Sequence, residues 1–154
     1  MKKILYITAV TGLLYVSCTS TPPKTELKSE VLDLVITVPT DKALAEHPAG
    51  QYTLGNTEFH IDQQRFIINE IKASSFPDDM TMVKTALEST KDFKSLTEEK
   101  TLANGSFGAI YETNNAKKFL FYFKKGNRCY RITPIFNNDG KHFEQAIEAI
   151  ASLK

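Results

Sequence analysis

The chain has 154 residues, of which 42% are hydrophobic and 24% are charged, and it contains two cysteines and no tryptophan. This composition is typical of one ordinary globular domain. Lys and Arg number 19 against 18 Asp and Glu, so no overall charge draws the chain to a polyanion, and we expect no nucleic-acid partner. Two cysteines are too few for the disulfide framework of a small secreted scaffold or for a structural zinc site.

The N-terminus has the three parts of a secretory signal. Met1 is followed by Lys2 and Lys3 and then by an apolar stretch over residues 4–16. About a dozen apolar residues are too few to span the ~30 Å hydrocarbon core of a bilayer as a stable helix. Residues 1–17 are therefore predicted to be a signal peptide that is removed.

The end of that stretch, Leu14-Tyr15-Val16-Ser17-Cys18, resembles the lipobox of bacterial lipoproteins. The resemblance implies diacylation of Cys18, cleavage between Ser17 and Cys18, and acylation of the new amine, so that fatty acids such as palmitate anchor the protein in a membrane. The family pattern has Leu three residues before the cysteine, where this chain has Tyr15. The alternative is an ordinary signal peptide cleaved elsewhere, which leaves Cys18 as a plain thiol.

Residues 18–30 are polar and contain two adjacent prolines, a composition that buries too little apolar surface to fold. We expect them to form a flexible tether between a lipidated Cys18 and a single domain over residues 31–154. In some lipoproteins an acidic run directly after the cysteine resembles a surface-export signal, but here Glu26 and Glu30 are isolated. We therefore expect a domain that is held at a membrane of the cell envelope and faces the periplasm.

Alternation, turn residues and helix caps predict the elements of the domain. In chain order they are a strand over 31–38, a loop or short helical turn over 43–50, a hairpin of 51–54 with 57–61, a strand over 65–71, a helix over 75–93, a meander of 100–113, 117–124 and 128–136, and a helix over 141–153. Pro39 closes the first strand because it has no amide hydrogen to donate. The period of segment 65–71 also fits a helix.

The segment from Phe119 to Phe123 is apolar on both of its alternating faces. A strand of this kind is covered by protein on both sides, and helices are the covers that the chain offers. The sequence therefore predicts an α+β domain in which a central antiparallel sheet carries helices on both faces, an α/β/α sandwich.

The order of these elements resembles the PsbP-like α/β/α sandwich over residues 31–154. The resemblance rests on a first strand that ends in proline, a mid-chain helix, a three-stranded meander and a final helix. That fold is shared by the extrinsic oxygen-evolving subunit of photosynthesis, by a nuclear-import factor that binds a small GTPase, and by bacterial envelope lipoproteins. The resemblance implies protein binding without chemistry, and it carries over no functional residue.

The sequence contains no convincing pattern of catalytic or metal-ligating residues. His47, His60 and His142 are too far apart for a helical metal pair, and His60 with Asp62 supplies only two ligands. Residues 105–108, Gly-Ser-Phe-Gly, lack the spacing of a nucleophile elbow and are interpreted as a turn. We therefore expect a protein that is not an enzyme and that needs no cofactor or metal.

Cys129 and two carboxylate pairs have structural interpretations. Cys129 lies in a predicted strand, where a thiol usually fills apolar space, and no histidine is placed to activate it. The adjacent carboxylates Asp78-Asp79 and Glu98-Glu99 point in different directions. That arrangement suits a helix start and a solvated loop better than acid–base catalysis.

Basic residues gather among aromatic side chains around the predicted strand 117–124. They are Lys117, Lys118, Lys124, Lys125 and Arg128. Basic residues beside aromatics can hold single-stranded nucleic acid, but cations at strand ends with the rings inside are typical of solubility and edge protection. A second interpretation of the five residues is an interaction patch for anionic lipid headgroups or a protein.

The sequence thus favours a lipid-anchored protein of the bacterial cell envelope whose domain is a non-catalytic protein-binding or assembly module. Two alternatives stay open. An envelope hydrolase, with a site that forms only in three dimensions, would show a deep pocket with a perturbed titratable group. A carrier of a small apolar ligand would instead show a dry cavity between sheet and helix.

We expect the mature protein to begin at a lipidated Cys18. Mass spectrometry of detergent-extracted protein checks this, and it should find two or more fatty-acyl chains because a single chain is a marginal anchor. Cys18→Ser should retain the signal peptide and carry no fatty acid, whereas Tyr15→Leu, which restores the family pattern, should be processed like the natural chain. A mature N-terminus at any other residue would contradict lipidation.

Overall fold

A computed structural model describes residues 24–38, 45–48, 56–61, 64–134 and 140–154. Within these ranges the elements are β1 (Thr25–Ser29), β2 (Leu34–Val38), β3 (Ala45–Pro48), β4 (Asn56–Ile61), β5 (Gln64–Ile71), α1 (Met80–Glu88), β6 (Phe93–Thr101), β7 (Phe107–Thr113), β8 (Lys117–Lys125), β9 (Arg128–Pro134) and α2 (Gly140–Ala151). Among these described residues, neither helix combines the length and apolarity needed to span a bilayer.

Seven strands form one antiparallel sheet in the order β3-β4-β5-β9-β8-β7-β6, and β1 pairs with β2 as a separate hairpin. The hairpin and α2 pack on one face of the sheet, and α1 packs on the other. The predicted class, α+β with a central antiparallel sheet and a helix on each face, is confirmed at this level. The domain contains more strand than the sequence predicts.

β8 explains why the sheet has two cores. Phe119 and Phe121 are fully buried on the α2 side, where the ring of Phe143 lies 5.6 Å from that of Phe119. Leu120 and Tyr122 point to the opposite face and pack with α1. Both faces of this strand are buried, as predicted, so β8 belongs to both cores at once.

The first strand of the β1–β2 hairpin consists of residues that the sequence predicts to be a flexible tether. β1 lies inside segment 18–30, expected to be flexible, yet it pairs with β2 along its whole length. Leu27 of β1 packs against the core. A polar strand can form because it pairs with the edge of a neighbouring strand, and the composition of the segment alone does not show that partner.

The predicted strand 31–38 begins only at Leu34, because residues 30–33 turn the chain and Asp33 has a φ of 54°. Its alternate apolar residues are buried as predicted: Leu32, Leu34 and Ile36.

β3 is a second correction, because its residues were expected in a loop or a short helical turn. Ala45–Pro48 pairs with β4 although it contains no β-branched residue, so the edge of β4 overrides local propensity. Pro48 suits the edge of a sheet, where its missing amide hydrogen leaves no ladder bond unmade. The predicted partner segment 51–54 lies outside the described residues. Segment 65–71 is a strand, within β5, and not a helix.

α1 is shorter than predicted. Its first turn is capped by Asp79, whose Oδ1 accepts the amide hydrogen of Met82 at 3.1 Å, so this carboxylate has its predicted place at a helix start. The helix ends at Glu88, and Asp92, with a φ of 67°, leads the chain into β6. Phe93, predicted as the last helical residue, therefore begins a strand.

Gly108 allows β7 to approach β8, and we expect Gly108→Ala to destabilise the domain. An added Cβ would lie 2.0 Å from the carbonyl oxygen of Leu120 and 2.7 Å from Cα of Phe121. Backbone atoms cannot rotate away, so the free energy of unfolding should fall by about 3 kcal/mol, measured by urea denaturation.

Gly105→Ala is the matched control. No atom lies within 4 Å of its added Cβ, and the φ of 84° is the only source of strain, so it should cost about 1–2 kcal/mol. Equal losses in the two variants would contradict a steric role for Gly108.

Candidate functional site

The residues predicted to carry processing and metal chemistry fall in different parts of the chain. Ser17 and Cys18 lie outside the described residues. The backbones of His47, His60 and His142 lie in β3, β4 and α2, and their side chains are outside the description. In the part of the chain that the structure describes, no cluster of three or more His, Cys, Asp or Glu side chains could hold a metal ion.

Cys129 and segment 105–108 have the structural places that the sequence predicts. Cys129 is 2% exposed in β9 and forms no disulfide, which is the burial expected of a small apolar filler. The Gly-Ser-Phe-Gly segment begins in a turn, closed by a 2.7 Å hydrogen bond from the amide of Leu102 to the carbonyl of Ser106. Neither feature forms a nucleophilic site.

The basic residues do not form one continuous patch. Lys117 and Lys118 begin β8, and Lys124 and Lys125 end it, so at the ~3.4 Å rise of an antiparallel strand Lys117 and Lys125 are separated by about 27 Å. Nζ of Lys117 lies 4.8 Å from the centre of the Phe143 ring, a cation–π contact that ties it to α2. Lys125 and Arg128, at the other end of β8, contact the β1–β2 hairpin instead.

Arg128 fastens the turn of the β1–β2 hairpin to the sheet. Its Nε donates to Oε1 of Glu70 at 2.9 Å and its Nη2 to Oε2 at 2.6 Å, while Nη2 also donates to the carbonyl of Val31 at 3.1 Å. The hydrogen bonds to the guanidinium lower the pKa of Glu70, and those to the carboxylate raise the pKa of Arg128. A bidentate pair of this kind fixes geometry as well as charge.

Tyr130 and Lys125 hold the next two residues of the same turn. The hydroxyl of Tyr130 is buried and donates to the carbonyl of Leu32 at 2.7 Å, and burial raises the pKa of Tyr130 to about 12. Nζ of Lys125 donates to the carbonyl of Asp33 and lies 3.3 Å from its Oδ2. With Lys117, three of the five predicted patch residues are therefore engaged by the fold, the other two being Lys125 and Arg128.

An open groove of about 870 Å³ lies between the end of α2, the hairpin and the β6–β7 turn. Its walls are joined by hydrogen bonds. Val35 exchanges two backbone hydrogen bonds with Lys154, at 3.1 and 3.2 Å, and the amide of Thr37 donates to Oγ of Ser152 at 2.7 Å. Nδ2 of Asn104 donates to two carbonyls at the end of α2, at 2.8 and 3.2 Å, which satisfies acceptors that a helix terminus leaves open.

The groove has a charged rim and an apolar floor. Its charged residues are Lys24, Lys154, Glu26 and Glu148. All four are exposed, and none forms an ion pair with another described residue. Its lining also includes the exposed Ala103 and the half-buried Ala151, whereas Leu153, at 2% exposure, belongs to the core behind it. Sequence reasoning missed this site, because its residues come from four separate segments and carry no motif.

A second surface lies on the α1 face of the sheet and is apolar. Met82 is 49% exposed, and its Sδ accepts the amide hydrogen of Asp78 at 3.4 Å. Phe76 and Met80, close to it along the chain, are half-buried and pack against the core on this side of the sheet; we call these three residues the methionine patch. The ring of Phe76 packs edge-on against Phe107 at 5.7 Å and Tyr122 at 5.9 Å, so it is held by rigid aromatic neighbours.

Comparison with known proteins finds no protein-family model, no curated protein and no solved structure that matches the chain. Function is therefore inferred from the residues of the chain itself. The groove and the methionine patch are the two surfaces of the described residues on which that inference rests.

We expect Tyr130 to make the stability of the domain fall at alkaline pH. A tyrosine whose folded pKa of about 12 exceeds its ordinary value of about 10 contributes fully below pH ~10 and loses that contribution as the pH rises towards 12. Tyr130→Phe removes this titration, so its stability should fall less steeply over that range in urea denaturation. At neutral pH it should lose about 1–3 kcal/mol, because the carbonyl of Leu32 stays buried without its donor. If the free energies of unfolding of the two proteins fell in parallel between about pH 10 and about pH 12, the titration would not belong to Tyr130.

Proposed function

We propose that the protein is a lipid-anchored component of the bacterial cell envelope whose domain binds another envelope protein without catalysing a reaction. Cys18 is the proposed anchor, and the domain faces the periplasm. The methionine patch carries the proposal of protein binding. Its exposed member, Met82, is one of two large apolar side chains that are exposed among the described residues, the other being Val31 in the hairpin turn.

We further propose that the folded part is a PsbP-like α/β/α sandwich. The layer order supports this, because a hairpin and α2 cover one face of an antiparallel sheet and α1 covers the other. The use of that fold for protein binding in other settings is an analogy, and it adds to the proposal only what the surface itself suggests.

The position of Met82 on α1 favours a role outside the core. Val83 and Leu87 are fully buried and supply the stripe that holds this short helix to the sheet. Met82 is not part of that stripe, and its side chain lies at the surface. Methionine adapts its shape to irregular partner surfaces because it is unbranched and polarisable.

The proposed anchor holds the domain close to the membrane. Because β1 begins at Thr25, only residues 19–24 separate Cys18 from the first strand. Six residues reach about 20 Å at ~3.1–3.6 Å each, whereas a domain of about 130 residues has a radius of gyration near 14 Å. A partner of this domain would therefore be met beside the bilayer.

The two alternative functions find less support in the described residues. A carrier of an apolar ligand needs an enclosed apolar cavity, but the groove is open and carries four charges. A second pocket, between α1 and β6, has a volume of about 120 Å³, below the ~300 Å³ of typical ligand sites. A hydrolase would need a group with a shifted pKa inside a pocket. Among the described residues the largest pKa shift belongs to Tyr130, whose hydroxyl is bound to the hairpin turn.

A photo-crosslinking amino acid at Met82 should capture a discrete envelope protein in intact cells. Glu144, exposed on α2, is the matched control site and should give no adduct of that size. With the crosslinker moved to the neighbouring exposed Thr81, the additional change Met82→Asp should abolish capture, because it places a charge in the apolar contact. The variant should keep its stability, since a carboxylate in the first turn of a helix is favourable.

Adducts at Glu144 as abundant as those at Met82, or none at either site, would contradict binding through the methionine patch. A measured hydrolytic activity that survives Met82→Asp would favour the enzyme alternative instead.

A further inference from the structure

The groove lies where the chain enters the domain. Lys24, which lines the groove, immediately precedes β1, so the six residues that follow the proposed anchor lead directly to the groove. This step rests on the proposed lipidation of Cys18. With a reach of about 20 Å, the side of the domain that carries the groove is the side that meets the bilayer surface.

The charges of the groove come in both signs. Lys24 and Lys154 offer ammonium donors, and Glu26 and Glu148 offer carboxylate acceptors. A ligand that carries both a negative and a positive group offers partners to charges of both signs. The exposed Ala103 and the half-buried Ala151 in the lining add a place for a short stretch of methylene groups.

We propose that the groove binds the headgroup of a zwitterionic aminophospholipid. The phosphate accepts hydrogen bonds from the two lysines, and the primary ammonium donates to the two glutamates, as charge-assisted hydrogen bonds of both signs require. The glycerol end of the lipid lies against Ala103 and Ala151.

Other headgroups satisfy only part of this rim. Phosphatidylglycerol offers its phosphate to the lysines but leaves Glu26 and Glu148 facing an anionic surface, which repels them. Phosphatidylcholine carries both charges, but its quaternary ammonium has no N–H to donate, so it makes no hydrogen bond to a carboxylate. The primary amine of phosphatidylethanolamine therefore distinguishes the proposed ligand from both.

Headgroup binding would also orient the domain. The groove belongs to the face of the sheet that carries the hairpin and α2, whereas the methionine patch belongs to the α1 face. With the groove against the bilayer, the methionine patch points away from it and towards the periplasmic partner of the proposed function.

Hydrogen exchange of the mature, lipidated protein in vesicles tests the proposal. The vesicles contain phosphatidylcholine alone, or phosphatidylcholine with either phosphatidylethanolamine or phosphatidylglycerol. The amides of Thr37 and Lys154, which are hydrogen-bonded in the groove walls, should exchange about three- to tenfold more slowly only with phosphatidylethanolamine, the effect of a few exposed charge-assisted contacts. Equal protection with phosphatidylglycerol would reduce the groove to a general electrostatic contact and overturn the proposal.

Two charge-neutralising double variants separate the groove from the rest of the surface. Glu26→Gln with Glu148→Gln should abolish the protection by phosphatidylethanolamine. Glu88→Gln with Glu144→Gln, the matched control, removes two exposed carboxylates that do not line the groove and should leave it unchanged. Loss of protection in both pairs, or protection that needs an added envelope protein, would overturn headgroup binding.

Flotation with all three vesicle types tests the anchor separately. A chain that carries fatty acid and floats, yet shows no selective protection, overturns the headgroup site and leaves the proposed function intact. A chain without fatty acid overturns the anchor. The groove is then tested on that same chain with dihexanoyl-phosphatidylethanolamine below its critical micelle concentration. Binding that is lost in the Glu26→Gln, Glu148→Gln variant supports the site. Absence of binding to the natural chain overturns it.

Discussion

The docking of the β1–β2 hairpin is the constraint on which the rest of the molecule depends. Leu32, Leu34 and Ile36 are each at most 1% exposed, and burying three such side chains contributes about 5–9 kcal/mol at the usual 1.5–3 kcal/mol each. The hydrogen bonds from Tyr130 and Arg128 add about 1 kcal/mol each. Apolar burial therefore holds the hairpin in place, and the polar contacts decide where its turn lies.

A docked hairpin determines both the reach of the proposed anchor and the shape of the groove. A two-stranded hairpin is marginal by itself, and this one is ordered because β2 packs beside α2 and pairs through Val35 with the end of the chain. Its order removes residues 25–29 from the segment that the sequence predicts to be a tether. The same packing brings Glu26 and Glu148 into the lining of one groove. One packing event therefore shortens the proposed tether and completes the set of charges around the groove.

The sequence predicts those parts of the fold that depend on local periodicity. Phe119 to Phe123 reveals a strand buried on two faces because alternation of side chains is a property of the strand alone. β1 and β3 escape prediction because each is polar or poor in strand formers and gains its pairing from a distant edge. The five basic residues look like one group in the sequence, but β8 is extended, so its first and last residues are about 27 Å apart.

The sequence does not predict the groove, for a related reason. Lys24, Glu26, Glu148 and Lys154 are unremarkable polar residues in their own segments, and only the docking of hairpin against α2 brings them to one rim. No spacing rule could have found them, since more than a hundred residues separate the two halves.

The two surfaces share one rigid element, and that element decides how they act together. Phe119 and Phe121 of β8 support α2, whose end forms a wall of the groove, while Leu120 and Tyr122 of the same strand support α1 and the methionine patch. A close-packed interior holds the elements on its two faces in a fixed relation to each other. Occupation of the groove would therefore act on a partner by orientation: it would turn the patch away from the bilayer without changing the affinity of the patch itself.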